Sequence, residues 1–306
     1  MQAAAGPDLG GVAEAGGPRV SVVIPCFDQA HFLGEAIESV TAQSRAVAEV
    51  VVVDDGSSDN SYAVAGRYPA VRRLRQENRG VAAARNLGLA SSSGDFLVFL
   101  DADDRLLPEA IELGVSALAK RPHVALVAGM SRDIGSDGRE LGDRRQPLVT
   151  QDHYLRLLED CYIWSGSSIV YRRSALEDVN GFDESLFAGD DYDLYLRVAF
   201  AHPIYCHEAV VTEYRRHGSN TTRDSAVVLA SQLDVLKRQR SRLRGPRERA
   251  AYRVGVSRTR AEHGRALARQ TVADWRRGRR RRALRGLRTL ARRDPRALVA
   301  LPGLGR

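Results

Sequence analysis

The sequence predicts an α/β fold: a mostly parallel sheet flanked by helices, followed by a basic helical extension. Three observations predict it. Between Val20 and Ala128, short β-branched runs alternate with amphipathic helical periods, the pattern of parallel strands covered by helices on both faces. Three of these strands run into polar turns rich in aspartate, at the carboxyl ends where such sheets gather their ligands. The charge also divides sharply: residues 1–222 hold 21 Lys and Arg against 32 Asp and Glu, whereas residues 223–306 hold 25 against 6.

Val20–Ile24 reads as a buried strand stopped by Pro25. Leu33, Ala36, Ile37 and Val40 then recur at helical spacing, an apolar stripe for a helix lying on a sheet. Val50–Val53 is a second buried strand, ending in Asp54-Asp55-Gly56-Ser57-Ser58-Asp59, which supplies a turn and N-caps for a helix over Asn60–Arg67. A weak strand, Val71–Leu74, precedes an Ala-rich helix over Ala82–Ala90 that contains Arg85. Phe96–Leu100 is a strand ending in Asp101-Ala102-Asp103-Asp104. Pro108 starts a helix with Ile111, Val115 and Leu118 on one face, and Val124–Ala128 is a further strand.

The pattern changes after Gly129. Arg132–Arg145 is rich in Gly and charge and reads as a mobile surface loop. Tyr154, Leu157 and Leu158 suggest a helix, and Trp164–Tyr171 a strand entered from a small-residue turn. Gly189-Asp-Asp-Tyr-Asp-Leu opens a helix whose Leu194 and Val198 pack inward. The boundaries that follow are a disordered leader over residues 1–18, a main domain over 19–222 with halves 19–129 and 130–222, and an Arg-rich helical extension over 223–306.

Composition excludes several classes. No run approaches the roughly 20 apolar residues of a membrane-spanning helix. The leader has no basic region or apolar core of a secretion signal. The three cysteines, Cys26, Cys161 and Cys206, form neither a disulfide framework nor a metal-ligand spacing, which suits a reducing cytoplasm.

The chemistry centres on Asp101 and Asp103. Two carboxylates one residue apart past a buried strand offer hard oxygen ligands to Mg²⁺ or Mn²⁺, leaving positions open for diphosphate oxygens. Such a cation offsets charge on a departing nucleoside diphosphate. The plainer alternative is a solvated turn ahead of the Pro108 helix. The strand before the pair and the second acidic strand end at Asp54-Asp55 favour the site.

Val20-Ser-Val-Val-Ile-Pro-Cys-Phe, Val51-Val-Val-Asp-Asp-Gly-Ser-Ser-Asp, Gly80-Val-Ala-Ala-Ala-Arg-Asn-Leu-Gly and Phe99-Leu-Asp-Ala-Asp-Asp resemble, in order and spacing, family 2 of the inverting glycosyltransferases, which have the GT-A fold. The likeness runs from about Arg19 to Ser219. It implies that a nucleotide-sugar donor, UDP-linked by default, gives its sugar to a glycan or lipid-linked acceptor in polysaccharide or cell-envelope synthesis. It further implies that the Pro25–Phe27 loop and Asp54 frame the nucleoside, with Asp55 supporting that turn. Asp28 stands where the family commonly has Asn. Asp101 and Asp103 match the family's Asp-X-Asp motif. Arg85 either reaches the donor or pairs with a strand-end carboxylate. Matching Gly189-Asp-Asp-Tyr-Asp-Leu to the family's Gly-Glu-Asp-x-Asp-Leu makes Asp191 the base and puts Asp190 at the acceptor; the plainer role of both is to favour the helix N-terminus. By the same resemblance His217 approaches the metal or diphosphate. Trp164 either stacks on an acceptor sugar or is a rim aromatic.

Beyond residue 223 two apolar stripes appear, Val228, Leu229, Leu233 and Leu236, then Leu284, Leu287, Leu290 and Ala291, with a short apolar finish over Leu298–Leu304. Basic amphipathic helices of this kind fit an anionic membrane surface, peripheral at the inner face of the plasma membrane, or pack on the catalytic domain. Nucleic acid is disfavoured, since the tail's aromatics are Tyr252 and Trp275 alone and no recognition module is present. Two rival functions remain at this stage: a nucleotide-sugar-binding scaffold without turnover, and nucleotidyl transfer, which the lack of a Gly-rich phosphate loop with Lys disfavours.

Overall fold

The computed structural model describes residues 17–144, 146–218, 220 and 224–299. The predicted leader and most of the predicted apolar finish lie outside them. The chain divides into two compact units, the first comprising Met1–Gln151, Ile163–Glu184 and Arg197–Arg216, the second Asp152–Tyr162, Ser185–Leu196 and His217–Arg306.

The first unit is built on one sheet. Strands β1 (Val20–Cys26), β2 (Glu49–Asp54), β3 (Val71–Arg75) and β4 (Phe96–Phe99) pair in parallel in the order β3-β2-β1-β4. Helices α1 (Ala30–Thr41), α2 (Ser61–Ala65) and α3 (Val81–Ala90) make the crossovers. Burial explains the apolar runs: Val22, Val23 and Ile24 are shielded on both faces, and α1 buries Phe32, Leu33, Ala36, Ile37 and Val40. Because the chain steps outward from β1 to β3 and returns to β1's other side as β4, the strand order reverses between β1 and β4. That reversal opens a crevice at the carboxyl ends of the strands.

Beyond β4 the sheet becomes mixed. Its remaining strands are β5 (Arg105–Leu106), β6 (Leu126–Gly135), β7 (Glu140–Asp143), β8 (Ile169–Arg172) and β9 (Tyr205–Arg216). The order continues β4-β8-β6-β9-β5, with β7 paired to β6. Helix α4 (Ala110–Ala119) buries Ile111, Val115 and Leu118 as the spacing predicts.

Three expectations change in this unit. Pro25 does not stop β1: it pairs in register with Val53 of β2, while the ladder to β4 ends at Val23, so a proline there costs no bond on the β4 side. Over its described residues, 132–144, the segment expected to be a loop is a hairpin, and Arg145 lies outside them. Its first residues complete β6 and its later ones form β7, tied by Arg132–Glu140 (3.0 Å) and Arg144–Asp133 (2.7 Å) ion pairs. β9 was missed because its charged residues, Glu213 and Arg215, obtain partners only from distant parts of the chain.

The second unit is helical. It contains α5 (His153–Glu159), the first turns of α7 (Asp190–Ala201), α8 (Ser225–Gln239), α9 (Pro246–Thr259), α10 (Arg265–Arg276), α11 (Arg280–Arg293) and α12 (Pro295–Val299); α6 (Arg173–Asp178) belongs to the first unit. Asp224 caps α8 by accepting from the backbone N–H groups of Ala226 and Val227. Ala226, Leu229, Leu233, Leu267 and Leu290 form the core. The predicted stripe on α11 is displaced: Ala283, Gly286 and Leu290 are buried, while Leu284 faces solvent and Ala291 is exposed. Gly286 decides this rotation, since a Cβ there would lie 2.2 Å from Thr271 Oγ1 of α10. The helices meet along Gly286 and Thr271 as well as through the buried leucines Leu267 and Leu290. Among the described residues no helix is long and apolar enough to cross a membrane.

Candidate active site

Register brings the acidic strand ends of the first unit together. Cys26 pairs with Asp54, the N–H of Asp55 donates to Cys26 O (2.8 Å), and the N–H of Leu100 donates to Val23 O (2.9 Å). The Pro25–Phe27 segment, Asp54-Asp55 and Asp101–Asp104 therefore share one sheet edge, at the strand-order reversal. Pro25 is buried and Phe27 is exposed.

Each aspartate there has a distinct setting. Asp54 is buried, with Oδ1 accepting from the N–H of Ser57 (2.9 Å) and Oδ2 ion-paired to Arg75 Nε (3.3 Å). Asp55 braces the segment before α3: Oδ1 accepts from Gln76 Nε2 (2.7 Å) and the N–H of Arg79 (2.9 Å), and Oδ2 from the N–H of Gly80 (2.8 Å). Gly80 holds φ at 92°, a conformation that favours glycine. Asp28 is itself left-handed, with φ 51°, which Asp and Asn tolerate. Its Oδ1 accepts from the N–H of Ser58 (2.7 Å), so it locks the first turn to the second. The Cys26 thiol is pushed up to about 11 by burial, which removes it from thiolate chemistry.

The Asp101–Asp104 turn is more elaborate than the motif suggests. Asp101 accepts from Arg85 Nη2 at 2.7 Å and keeps a third of its side chain exposed. Arg85 is buried, its guanidinium 5.3 Å from the Phe182 ring centroid, and Phe182 is set edge-on to Phe99 of β4. The ion pair, one of the two roles weighed for Arg85, is thus present. Asp103 is half-buried, and its carbonyl accepts from Arg215 Nε (2.8 Å). Asp104 turns inward, accepting from Ser167 Oγ (2.8 Å) and the N–H of Arg215 (3.0 Å). Burial first, then the charges of Asp103 and Asp101, push its carboxyl well above the usual range.

Sequence reading missed Asp104, Ser167 and Arg215 as parts of this turn. Arg215 is fully buried, lies over the Phe32 ring and pairs through Nη2 with Glu35 Oε2 (2.7 Å). The only sequence signal was an arginine inside an otherwise β-compatible run, Tyr205–Arg216. Trp164, also in this unit, is exposed. Arg144 donates to its carbonyl (3.1 Å) and stacks on Tyr214, 4.1 Å from that ring's centroid.

In the second unit Asp190 is buried and Asp191 half-buried in the first turn of α7, where Asp191 Oδ1 accepts from the N–H of Tyr192 (2.7 Å). Gly189, at φ 79°, starts that turn. His217 is buried, with Nε2 3.2 Å from the amide nitrogen of Asn220.

Among the described residues no three His, Cys, Asp or Glu side chains converge as a metal cluster. Asp101 and Asp103 nevertheless suit Mg²⁺ or Mn²⁺, because such ions bind through one or two carboxylates and complete their shell with water and phosphate oxygens. Asp101 spends one oxygen on Arg85 and has a second.

A crevice at a strand-order reversal, walled by three acidic strand ends, is where an open α/β sheet gathers its ligands. Comparison with known proteins makes the class specific. The family described as Glycosyl transferase family 2 matches residues 21–179. Chondroitin synthase of Escherichia coli is 27% identical over 209 residues, covering 67% of this chain and 30% of that relative. An uncharacterised glycosyltransferase of Nostoc sp. is 29% identical over 225 residues, 70% of each chain. The fold is similar to that of Staphylococcus aureus TarS 1–349 in complex with UDP-GlcNAc, with TM-score 0.66 and 16% identity over 91% of this chain and 82% of that one. The chain spans about a third of the length of the chondroitin synthase. It belongs to glycosyl transferase family 2, and it is a glycosyltransferase with a GT-A-like fold and a C-terminal helical region.

Proposed function

We propose that the chain moves a sugar, with inversion, from a UDP-linked donor to a hydroxyl of a glycan or lipid-linked acceptor. The observation that carries the donor half is the meeting of Asp54-Asp55, the Pro25–Phe27 segment and Asp101–Asp103 at one strand-order reversal. The UDP-GlcNAc bound by TarS supports the choice of nucleotide. In this reading residues 19–129 hold the donor, 130–222 carry the acceptor half and 223–306 form the basic extension. Pro25, Phe27 and Asp54 frame the nucleoside, while Arg85 sets the Asp101 carboxylate and faces the diphosphate.

Asp101 and Asp103 would hold Mn²⁺ or Mg²⁺, with His217 a further candidate ligand. When bound, the cation supplies charge stabilisation to the departing diphosphate. Asp191 takes the acceptor hydroxyl proton as that oxygen bonds the anomeric carbon from the face opposite the leaving group. The bond from that carbon to the diphosphate oxygen breaks, and UDP carries away the electron pair. Asp190 and Trp164 position the acceptor. Family membership favours this over nucleotidyl transfer.

The test is a screen of nucleotide sugars by thermal shift with Mn²⁺, followed by transfer assays on the best donor. Asp191→Asn should retain donor affinity within a few-fold and lose about 10²–10⁴ in turnover, the range for a general base. Full turnover in that variant would refute the base assignment. A screen in which no uridine nucleotide shifts the melt would refute the donor.

A further inference from the structure

The arginines of α11 are not distributed like those of an ordinary solvated helix. Arg281, Leu284, Arg285, Arg288 and Arg292 recur at steps of three and four, so they line one side of the helix over about 16 Å. The opposite side, Ala283, Gly286 and Leu290, is buried. A basic amphipathic helix usually offers its apolar face to a partner; here that face is already used inside the unit, and the cationic face is the one left outward.

The basic extension has six carboxylates, of which one, Asp224, meets that row. Asp224 pairs with Arg285, Asp234 with Arg293 (2.6 Å), Glu262 with Arg258 (2.9 Å) and Asp274 with Arg279 (3.5 Å). Glu248 accepts from the N–H of Gly245 (2.9 Å), and Asp294 from that of Ala297 (3.3 Å). Arg281, Arg288 and Arg292 have no carboxylate partner among the described residues. Asp224 neutralises Arg285 alone; the other three arginines of the row have their complement in an external anion extended over about 16 Å.

Two apolar features decide which anion. Leu284 stands in the middle of the row with 46% of its surface exposed. Arg285, in the same row, also lines a cavity of about 710 Å³ with Leu186, Phe187, Val227 and Ala230, and Phe187 is 86% exposed. A phosphodiester groove has no use for Leu284 or Phe187, whereas a bilayer boundary accepts both beneath its charged headgroups. Arg280 stacked 3.9 Å from the Trp275 ring centroid adds a pairing of cation and aromatic suited to that boundary.

We propose that the Arg281–Arg292 face of α11 seats the protein on an anionic phospholipid surface, with Leu284 and Phe187 entering the headgroup layer. This goes beyond the transfer reaction and does not depend on the donor. It also gives the apolar-walled cavity beside the loop that leads to Asp190 an opening toward lipid.

The experiment is flotation of the full chain with vesicles of phosphatidylcholine alone or with 30 mol% phosphatidylglycerol, from 50 to 500 mM NaCl. Binding is expected only to the phosphatidylglycerol vesicles, and raised salt should release it. Each arginine near such a surface strengthens partition roughly fivefold, so Arg281→Ala/Arg288→Ala/Arg292→Ala should weaken it about 100-fold. Leu284→Ser should weaken it several-fold with all charges intact. These substitutions are at exposed positions, and an unchanged melt verifies the fold. Equal binding to both vesicles, or a triple variant that floats like the unsubstituted chain, overturns the proposal. Tighter retention on poly(U) RNA than on vesicles at the same salt overturns it in favour of nucleic acid. UDP binding by the triple variant, measured by calorimetry, should stay unchanged; this keeps failure here distinct from failure of the donor assignment.

Discussion

The two units use arginine in opposite ways. In the first, Arg215 and Arg85 are buried and held in place: Arg215 holds the Asp103 carbonyl and Glu35, and Arg85 holds Asp101 over a Phe182 ring. In the second, Arg281, Arg288 and Arg292 stand outward in a row without carboxylate partners among the described residues. A buried guanidinium acts through geometry, because its planar fork fixes the groups it bonds. A row of exposed ones acts through its summed field, which salt can screen. The same residue type therefore builds a site in one unit and a surface in the other.

The sharpest way to break that contrast is Arg215→Ala. It strips one partner from Glu35 and removes the Nε donor to the Asp103 carbonyl. Emptying a fully buried site of this size costs about 3–5 kcal/mol, to be read as lost stability in urea unfolding. Arg288→Ala, by contrast, should change stability by less than about 0.5 kcal/mol, as surface substitutions do. If the two variants melt alike, the buried network does not support the fold. Arg215→Lys refines the point: a point charge keeps the attraction to Glu35 but not the fork, so stability should recover only in part.

Much of the parallel sheet was legible in the sequence, because it rests on short-range pattern. The first three parallel strands, their helices and the charge break after residue 222 all show within windows of a few turns. The Asp101–Asp103 motif and its neighbour Asp54-Asp55 could be placed on strand ends for the same reason. What stayed hidden depends on distant partners. Arg215 meets Glu35, 180 residues away, and Arg132 in the hairpin meets Glu213, 81 residues away. Pattern reading sends such charges to solvent, which is why β9, the hairpin and the inward turn of Asp104 were missed. On α11 the error had another source: Gly286 sets the contact with α10, and a glycine leaves no mark on an apolar stripe.

A second comparison concerns how each unit brings elements close. In the first, a Cβ on Gly88 of α3 would lie 2.2 Å from Val23 Cγ1 in β1. In the second, a Cβ on Gly255 of α9 would lie 1.9 Å from the Leu158 carbonyl oxygen. Overpacking of this kind costs about 1–3 kcal/mol. Gly255→Ala should sit at the upper end, since a backbone carbonyl cannot rotate aside as a valine can try to. Denaturant melts of both variants would rank them, and a smaller loss for Gly255→Ala would show that α9 shifts more freely than β1.

The smallest expected effect is also the one that separates the units most directly. Burial lowers the pKa of His207 in the first unit and of His153 and His263 in the second, with Glu262 and Asp160 opposing it at His263. A histidine that resists protonation in the folded state leaves the unfolded chain to bind protons first. Stability is therefore full above the ordinary value of 6.5 and declines as pH falls below it toward the lowered values. Asp160 works the other way: burial raises its carboxyl above 3.8, so the folded state takes up that proton more readily and recovers stability as pH falls through the raised value. The chain has two tryptophans, Trp164 in the first unit and Trp275 in the second. Trp275→Phe and Trp164→Phe variants thus report the first and second units separately by fluorescence. Between pH 7.5 and 5.5 both reporters should show a falling melting temperature, and His263→Gln should reduce the fall only in the Trp275 signal. An equal response in both signals would mean that the two units unfold as one.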